Sequence, residues 1–381
     1  MSTKLAGVVS SAAELPAARR VVVKIGSSSL TTVDEGVSIE ALNRLVDACQ
    51  QLRHGGTEVV LVSSGAIAAG LAPLSLLSRP TDLAAQQAAA AVGQGVLLAH
   101  YTQGFARHGA AVAQVLLTVE DLIRRSTYIN ALRSLEKLLA LGAVPVINEN
   151  DAVATAEIRF GDNDRLAALT ANLLHADALV MLSDVEALFD GPPSEGGKPL
   201  AEVRSETDLQ GVSLGPRGRA GVGTGGMVTK VEAARIVTAH GIPAMLTSAE
   251  NAPRLLSGEQ VGTFFHPRGR RRGARTAWLA HLASTKGRIV VDEGAARAVG
   301  QRRRSLLAAG ITAIEGDFDA GDVVEIADAE GTVHARGVTG YSAEELPQIM
   351  GRSTAQLAAE LGPDYERAVV HTDDMARVRS T

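Results

Sequence analysis

Lys24 interrupts the β-branched run Val21-Val22-Val23-Lys24-Ile25 just before Gly26 and three serines, and Lys230 closes the glycine-rich stretch Gly221-Val222-Gly223-Thr224-Gly225-Gly226-Met227-Val228-Thr229-Lys230. Other polar side chains gather where apolar runs stop. Ser63-Ser64-Gly65-Ala66 follow Val59–Val62, Asn148-Glu149-Asn150-Asp151 follow Val144, Val146 and Ile147, and Ser183-Asp184 tip Ala178–Leu182. A further cluster, Asp162-Asn163-Asp164, leads into the helical run Arg165–Leu169. Two lysines delivered by glycine-rich loops, a small-residue loop offering backbone N–H groups, and amide and acid clusters suit phosphoryl transfer, which asks a protein mainly for positioning and charge neutralisation. Each piece alone has a plainer reading. Lys24 could snorkel to the surface, Ser63–Ala66 could be only a tight strand-to-helix turn, and Asp162, Asn163 and Asp164 could simply cap a helix.

Other chemistries find no support. Gly221, Gly223 and Gly226 match G-x-G-x-x-G, but no apolar strand precedes them, and the P-loop pattern is absent. The nine histidines show no metal-ligand spacing, and no Ser/His/Asp or Cys/His set stands out, so no residue is assigned as a metal ligand.

The elements that must position these groups read as strands alternating with helices. Strands are expected at Val21–Gly26, Val59–Val62, Ala111–Leu116, Val144–Ile147 and Ala178–Leu182. Helices are expected from a Ser38 cap to Leu52, over much of Thr81–Gly104, from Thr127 to Leu141 and from Val231 to His240. This alternation predicts an α/β fold, a largely parallel sheet covered on both faces, with ligands beyond the carboxyl ends of its strands. The Ala- and Gln-rich helix is small-sided enough for close packing, in the core or between subunits. Asp190–Gly226 has loop composition.

Past Gly262 the texture changes to short β-branched segments, Ile289–Val291, Val323–Ile326 and Val333–Ala335, separated by Gly and acids. A small mostly-β domain over 286–371 is expected, joined through Leu282–Thr285 to a front domain over 18–281, with terminal segments 1–17 and 372–381. Arginine clusters at 268–275 and 302–304 could be solvated faces or nucleic-acid contacts.

Composition sets outer bounds. At 381 residues with 46% hydrophobic and 21% charged side chains, the chain has globular character and room for two or three units. A net charge of −5 argues against holding nucleic acid by bulk charge. The single Cys49 lies in an apolar-periodic run, which predicts a packing thiol in a reducing compartment. With no bilayer-length apolar run, the expected location is the cytoplasm.

The segments V-V-V-K-I-G-S-S-S-L, V-S-S-G-A-I-A-A-G, I-N-E-N-D-A-V-A-T-A-E-I-R-F-G-D-N-D and G-T-G-G-M-V-T-K resemble the signatures of the amino acid kinase family, within it the γ-glutamyl kinases. The tail, with K-G-R-I-V-V-D-E-G-A, G-D-F-D-A-G-D-V-V-E-I and H-T-D-D-M, is similar to the PUA domain that many bacterial members carry. The resemblance implies a three-layer αβα sandwich followed by a PUA-like domain. Its implied reaction moves the γ-phosphoryl of ATP, with Mg²⁺, to the side-chain carboxylate of L-glutamate, giving L-glutamyl 5-phosphate on the route to proline. It further implies that Lys24 and Lys230 stabilise the transferring phosphoryl while Asp164 holds both lysines. Ser64, Gly65, Asn148, Asp151, Asp162 and Asn163 would form the glutamate site. Lys24, Ser183, Asp184 and the run Thr224, Gly225, Gly226, Met227, Val228, Thr229, Lys230 would line the nucleotide site. Ser183 stands where Thr is common in the family. Feedback inhibition by proline and a homo-oligomer, dimer or tetramer, are implied as well, and RNA binding by the tail stays open. Rival readings are a kinase of the same fold acting on N-acetylglutamate or aspartate, and an RNA-associated amino acid sensor.

Overall fold

The computed structural model describes residues 9–32, 36–118, 121–122, 125–153, 163–192, 195–212, 226–268, 285–300, 304–362, 365 and 367–378. The chain forms two compact units, Met1–Ala274 and Arg275–Thr381. Among the described residues no helix is long and apolar enough to cross a membrane.

The first unit is built on β1 (Arg20–Ile25), β2 (Glu58–Ser63), β3 (Val112–Leu117), β4 (Val144–Glu149), β5 (Ala178–Ser183), β6 (Glu202–Val203), β7 (Ala244–Ser248) and β8 (Thr263–Phe265). They form one sheet in the order β6-β8-β7-β5-β1-β2-β4-β3. Every pairing is parallel except β7 with β8. Strands β1, β4 and β5 are buried along their whole length, as strands sandwiched between helices must be. Five of the sequence-expected strands are thus present. β6, β7 and β8 were not expected.

The helices are α1 (Ile39–His54), α2 (Ala66–Leu71), α3 (Leu83–Ala106), α4 (Arg125–Ala140), α5 (Asn163–Leu173), α6 (Met227–Thr238) and α7 (Ala252–Leu256). The Ser38 hydroxyl accepts the Ala41 N–H at 3.3 Å and Asp82 accepts that of Ala85 at 2.8 Å, so α1 and α3 start at side-chain caps. Parity along β1 separates the two faces of the sheet. Val21, Val23 and Ile25 join a core with Leu42, Val46, Tyr101 and Leu255 of α1, α3 and α7. Arg20, Val22 and Lys24 point to the opposite face. The three-layer α/β expectation is borne out.

Backbone-to-backbone packing joins α2 to α3. A Cβ on Gly93 would stand 1.7 Å from the Ala66 carbonyl oxygen, and one on Gly70 would stand 1.9 Å from that of Ala89. The small-sided helix therefore packs closely within its own chain.

At the amino edge of the sheet, Asp177 accepts the backbone N–H groups of Arg19 (2.8 Å) and Arg20 (3.0 Å). The buried Arg20 guanidinium in turn pairs with Glu58 at 2.8 Å and donates to the Leu174 carbonyl at 2.6 Å. This network ties together the starts of β1, β2 and β5.

The second unit holds a five-stranded sheet of β9 (Gly287–Val291), β10 (Ile311–Gly316), β11 (Val323–Ala327), β12 (Val333–Val338) and β13 (Met375–Arg377), in the order β10-β9-β11-β12-β13. Ile289, Val324, Ile326, Ala335, Tyr341 and Val370 make its core. Glu325 lies between Arg288 and Arg336 across three strands, 3.0 Å from each, a cross-strand charge row. Its mostly-β character is as expected. β10 and β13 were not.

Candidate active site

The strand order reverses at β1. The chain first fills one side of β1 with β2, the edge strand β3 and then β4 between them, and restarts on the other side with β5. Such a reversal leaves a crevice at the carboxyl ends of the adjoining strands, where open α/β sheets hold their ligands. Lys24 pairs in register with Val62 of β2 and Met181 of β5, one residue before those strands reach Ser63 and Leu182. Gly26 then donates its N–H to the Leu182 carbonyl at 3.1 Å, closing the turn that follows.

Lys24 faces α5, whose second residue is Asp164. Lys24 Nζ lies 2.5 Å from Asp164 Oδ1, and Lys230 Nζ lies 3.2 Å from Asp164 Oδ2. All three side chains are buried, Asp164 completely. Thr229 Oγ1 is 2.9 Å from the same Asp164 Oδ2. Two ammonium groups against one carboxylate leave this trio with one net positive charge, and an anion brought between the lysines meets that charge without the reorganisation bulk water would require.

A correction concerns the origin of the lysines. Lys24 lies in β1, within the strand expected at Val21–Gly26 although it was also counted as delivered by the glycine-rich turn after it, whereas Lys230, expected on a glycine-rich loop, lies in the first turn of α6, which begins at Met227 rather than Val231. β-branched Val228 and Thr229 weaken the local helix signal. Tertiary contact prevails, since Thr229, Lys230 and Val231 are all buried against the sheet unit. Both cations are therefore held by rigid elements.

The amide cluster assembles around Asn163, the first residue of α5. Its Nδ2 lies 2.9 Å from the Ser63 carbonyl, 3.2 Å from Ser64 Oγ and 2.7 Å from Asn148 Oδ1. Among the described residues, Asn163 Oδ1 is buried and accepts no hydrogen bond. Asn148 Oδ1 also accepts the Glu149 N–H at 2.9 Å. Asp151 sits half-buried in the turn after β4. Gly65 takes φ +96° as it leads into α2, a conformation that favours glycine, and a Cβ there would press on Thr31 at 3.1 Å. Ser183, buried at the end of β5, donates to Asp184 at 2.9 Å, and Asp184 itself is exposed. Gly226, Met227 and Val228 are half-buried at the start of α6. The structure thus brings Lys24, Lys230, Asp164 and Thr229 into one group, and Ser64, Asn148 and Asn163 into another. Asp162, Thr224 and Gly225 lie outside the described residues.

Two supports were not read from the sequence. Tyr101 of α3 sets its hydroxyl 3.0 Å from Ser63 Oγ, and burial pushes that phenol above its ordinary range. Gln94, also on α3, donates to the Glu149 carbonyl at 3.3 Å. Nothing in the sequence singles them out, since the same helix also carries Gln86, Gln87, His100, Thr102 and Gln103. Among the described residues, no group of three or more His, Cys, Asp or Glu side chains could hold a metal ion.

The amino acid kinase family model matches residues 19–248, and the PUA domain model matches residues 287–361. The chain belongs to the amino acid kinase family. It is similar to the glutamate 5-kinase of Salinispora arenicola (strain CNS-205), 61% identical over 94% of this chain and 98% of that one. It is similar also to the glutamate 5-kinase of Streptomyces avermitilis, 59% identical over 94% and 96%, and to that of Thermobifida fusca (strain YX), 55% identical over 98% and 97%.

Proposed function

We propose that this chain transfers the γ-phosphoryl group of ATP to the side-chain carboxylate of L-glutamate, giving L-glutamyl 5-phosphate and ADP, the opening step of a route to proline. The observation that carries the reading is the placement of Lys24 and Lys230 on opposite oxygens of Asp164, beside the Asn163, Asn148 and Ser64 cluster. The relatives named above support the choice of acceptor.

The residues divide the work. Ser64, Gly65, Asn148, Asp151, Asp162 and Asn163 hold glutamate. The buried Asn163 Oδ1 accepts a donor from it, as a buried amide oxygen requires. Ser183, Asp184 and the segment from Thr224 to Lys230 hold the nucleotide, which arrives as its Mg²⁺ complex. Bound there, the ion would neutralise phosphate charge. A glutamate γ-oxygen forms the new bond to phosphorus as the bond from phosphorus to the β,γ-bridging oxygen breaks, and that oxygen leaves on ADP. The two ammonium groups spread the charge of the moving phosphoryl, and Asp164 keeps them from drifting toward the ground-state carboxylate.

The reading extends to a cytoplasmic enzyme, consistent with one buried thiol, and to proline as a competing ligand of the glutamate site. It extends also to a homo-oligomer: α3 has no charged residue over its 24 positions and exposes Ala84, Ala88, Ala91, Val92 and Ala99. ADP release measured with glutamate, N-acetylglutamate and aspartate in turn tests it. Turnover with glutamate at a kcat/KM well above the other two is expected, and turnover with none of them overturns it.

A further inference from the structure

Thr229 touches two things at once: the carboxylate that separates the lysines, and the backbone on which the glycine-rich segment enters α6. Its Oγ1 lies 2.9 Å from Asp164 Oδ2, 2.8 Å from the Gly226 carbonyl oxygen, and 3.1 Å from the Gly226 nitrogen, whose N–H it accepts. The residue is 8% exposed, and its neighbour in sequence is Lys230. A hydroxyl has one proton and here two acceptors. A hydrogen bond to a carboxylate is roughly twice as strong as one to a neutral carbonyl, so the proton belongs to Asp164. The Gly226 N–H, an amide at the helix start with no partner inside the helix, then points at the same oxygen from the other side.

We infer that Thr229 is a positioning residue for phosphoryl transfer: its hydroxyl fixes the rotation of the Asp164 carboxylate, and through it the separation and aim of Lys24 and Lys230. Two flexible ammonium groups leave a carboxylate room to turn about its Cβ–Cγ bond. A short donor from a helix turn opposes that rotation and favours Oδ1 on Lys24 and Oδ2 on Lys230. The hydroxyl also couples the lysines to the end of the glycine-rich segment, because any shift of Gly226 is felt at Asp164. The inference rests on the proposed function for its kinetic consequence, but the contact itself does not.

The test is a cycle of Thr229→Val, Thr229→Ser and Asp164→Asn, alone and combined. Thr229→Val keeps the shape and removes the donor, and is expected to lower kcat roughly tenfold to a hundredfold, the usual scale for a small misplacement of reacting groups. The KM for ATP should stay within about threefold, and Thr229→Ser should restore turnover. On Asp164→Asn, adding Thr229→Val should cost less than about twofold more, since residues acting through one contact are not additive. The nucleotide-holding segment then uses the main chain at Thr229, and a raised KM for ATP with kcat unchanged, or losses that multiply, would mean that the Thr229 hydroxyl itself serves the nucleotide, and would overturn the inference. No change in either constant would overturn it too. Urea midpoints of the same variants give a reading independent of turnover, with a double variant no less stable than Asp164→Asn expected and additive shifts contradicting it. A wild-type protein inactive toward glutamate would sink the functional proposal, and the unfolding cycle would still decide the contact.

Discussion

Lys24 Nζ stands 2.5 Å from Asp164 Oδ1 with both side chains sealed from solvent, although one comes from a strand interior and the other from a helix start well over a hundred residues later. Removing one partner of such a pair leaves a bare buried charge. Asp164→Ala should therefore lower unfolding stability by about 3–5 kcal/mol, as broken buried pairs do. It should also abolish turnover. A urea titration measures the first, and an unchanged midpoint would show that the lysines relax without their anion.

Lys230→Ala should lower kcat about a hundredfold or more while moving the KM for glutamate little, because an ammonium aimed at a moving phosphoryl group is useful mainly in the transition state. Steady-state kinetics separate the two constants. A change confined to the glutamate KM would contradict the assignment.

Asn163→Ala should act on the other side of the site. Its amide joins the end of β2, Ser64 and Asn148, so its loss should raise the glutamate KM about tenfold and leave the affinity for ATP nearly unaltered, in line with about 1.5–3 kcal/mol for a hydrogen bond to a charged group. Calorimetric titration with each substrate distinguishes the outcomes, and an ATP affinity that falls in parallel would place the residue elsewhere.

Gly93→Ala brings a methyl group to 1.7 Å from the Ala66 carbonyl oxygen, so α2 and α3 must part. Overpacking of this kind costs about 1–3 kcal/mol or more. Because Ala66 follows Ser64 and Gly65 directly, glutamate binding should weaken along with the melting temperature. Gly95, with nothing near its Cβ position, is the control, and Gly95→Ala should leave both readings in place.

Burial pushes the Cys49 thiol up to about 12. At pH 8 the native protein should give no reaction with a thiol-specific disulfide reagent, and one equivalent should appear on unfolding. Rapid native labelling would mean that α1 opens readily.

The sequence carried much of this fold because several central strands are β-branched and helix starts are marked. Val21–Ile25 and Val59–Val62 read as buried strands on composition, Ala178–Leu182 reads as one from its short apolar run between polar ends, and Ser38 announces α1. What escaped was decided by distant contacts. Ala244–Ser248 ends in polar residues and is a strand because it pairs with β5. Ile311–Gly316 exposes most of its side chains at a sheet edge, so no alternation marks it. The grouping of Lys24 with Asp164 was legible only through the family resemblance. Parity along β1 puts Lys24 on the α5 face, but nothing local says that α5 begins there. Thr229 looked like one more residue of a glycine-rich loop, because its two partners become neighbours only when α5 and α6 pack side by side.

Strand β1 carries a buried cation at each end, Arg20 in the amino-edge network and Lys24 at the site, four residues apart and so separated by about 13 Å along the strand. The two are insulated from each other by Val22 and its neighbours. On the proposed function, changes around Asp177 and Glu58 should therefore tune how well the molecule endures heat without retuning the reaction, and changes around Asn148 or Ser64 should alter acceptor preference without loosening the foundation. A lineage adapting such a catalyst to new temperatures or new acceptors could work on the two ends of one strand separately.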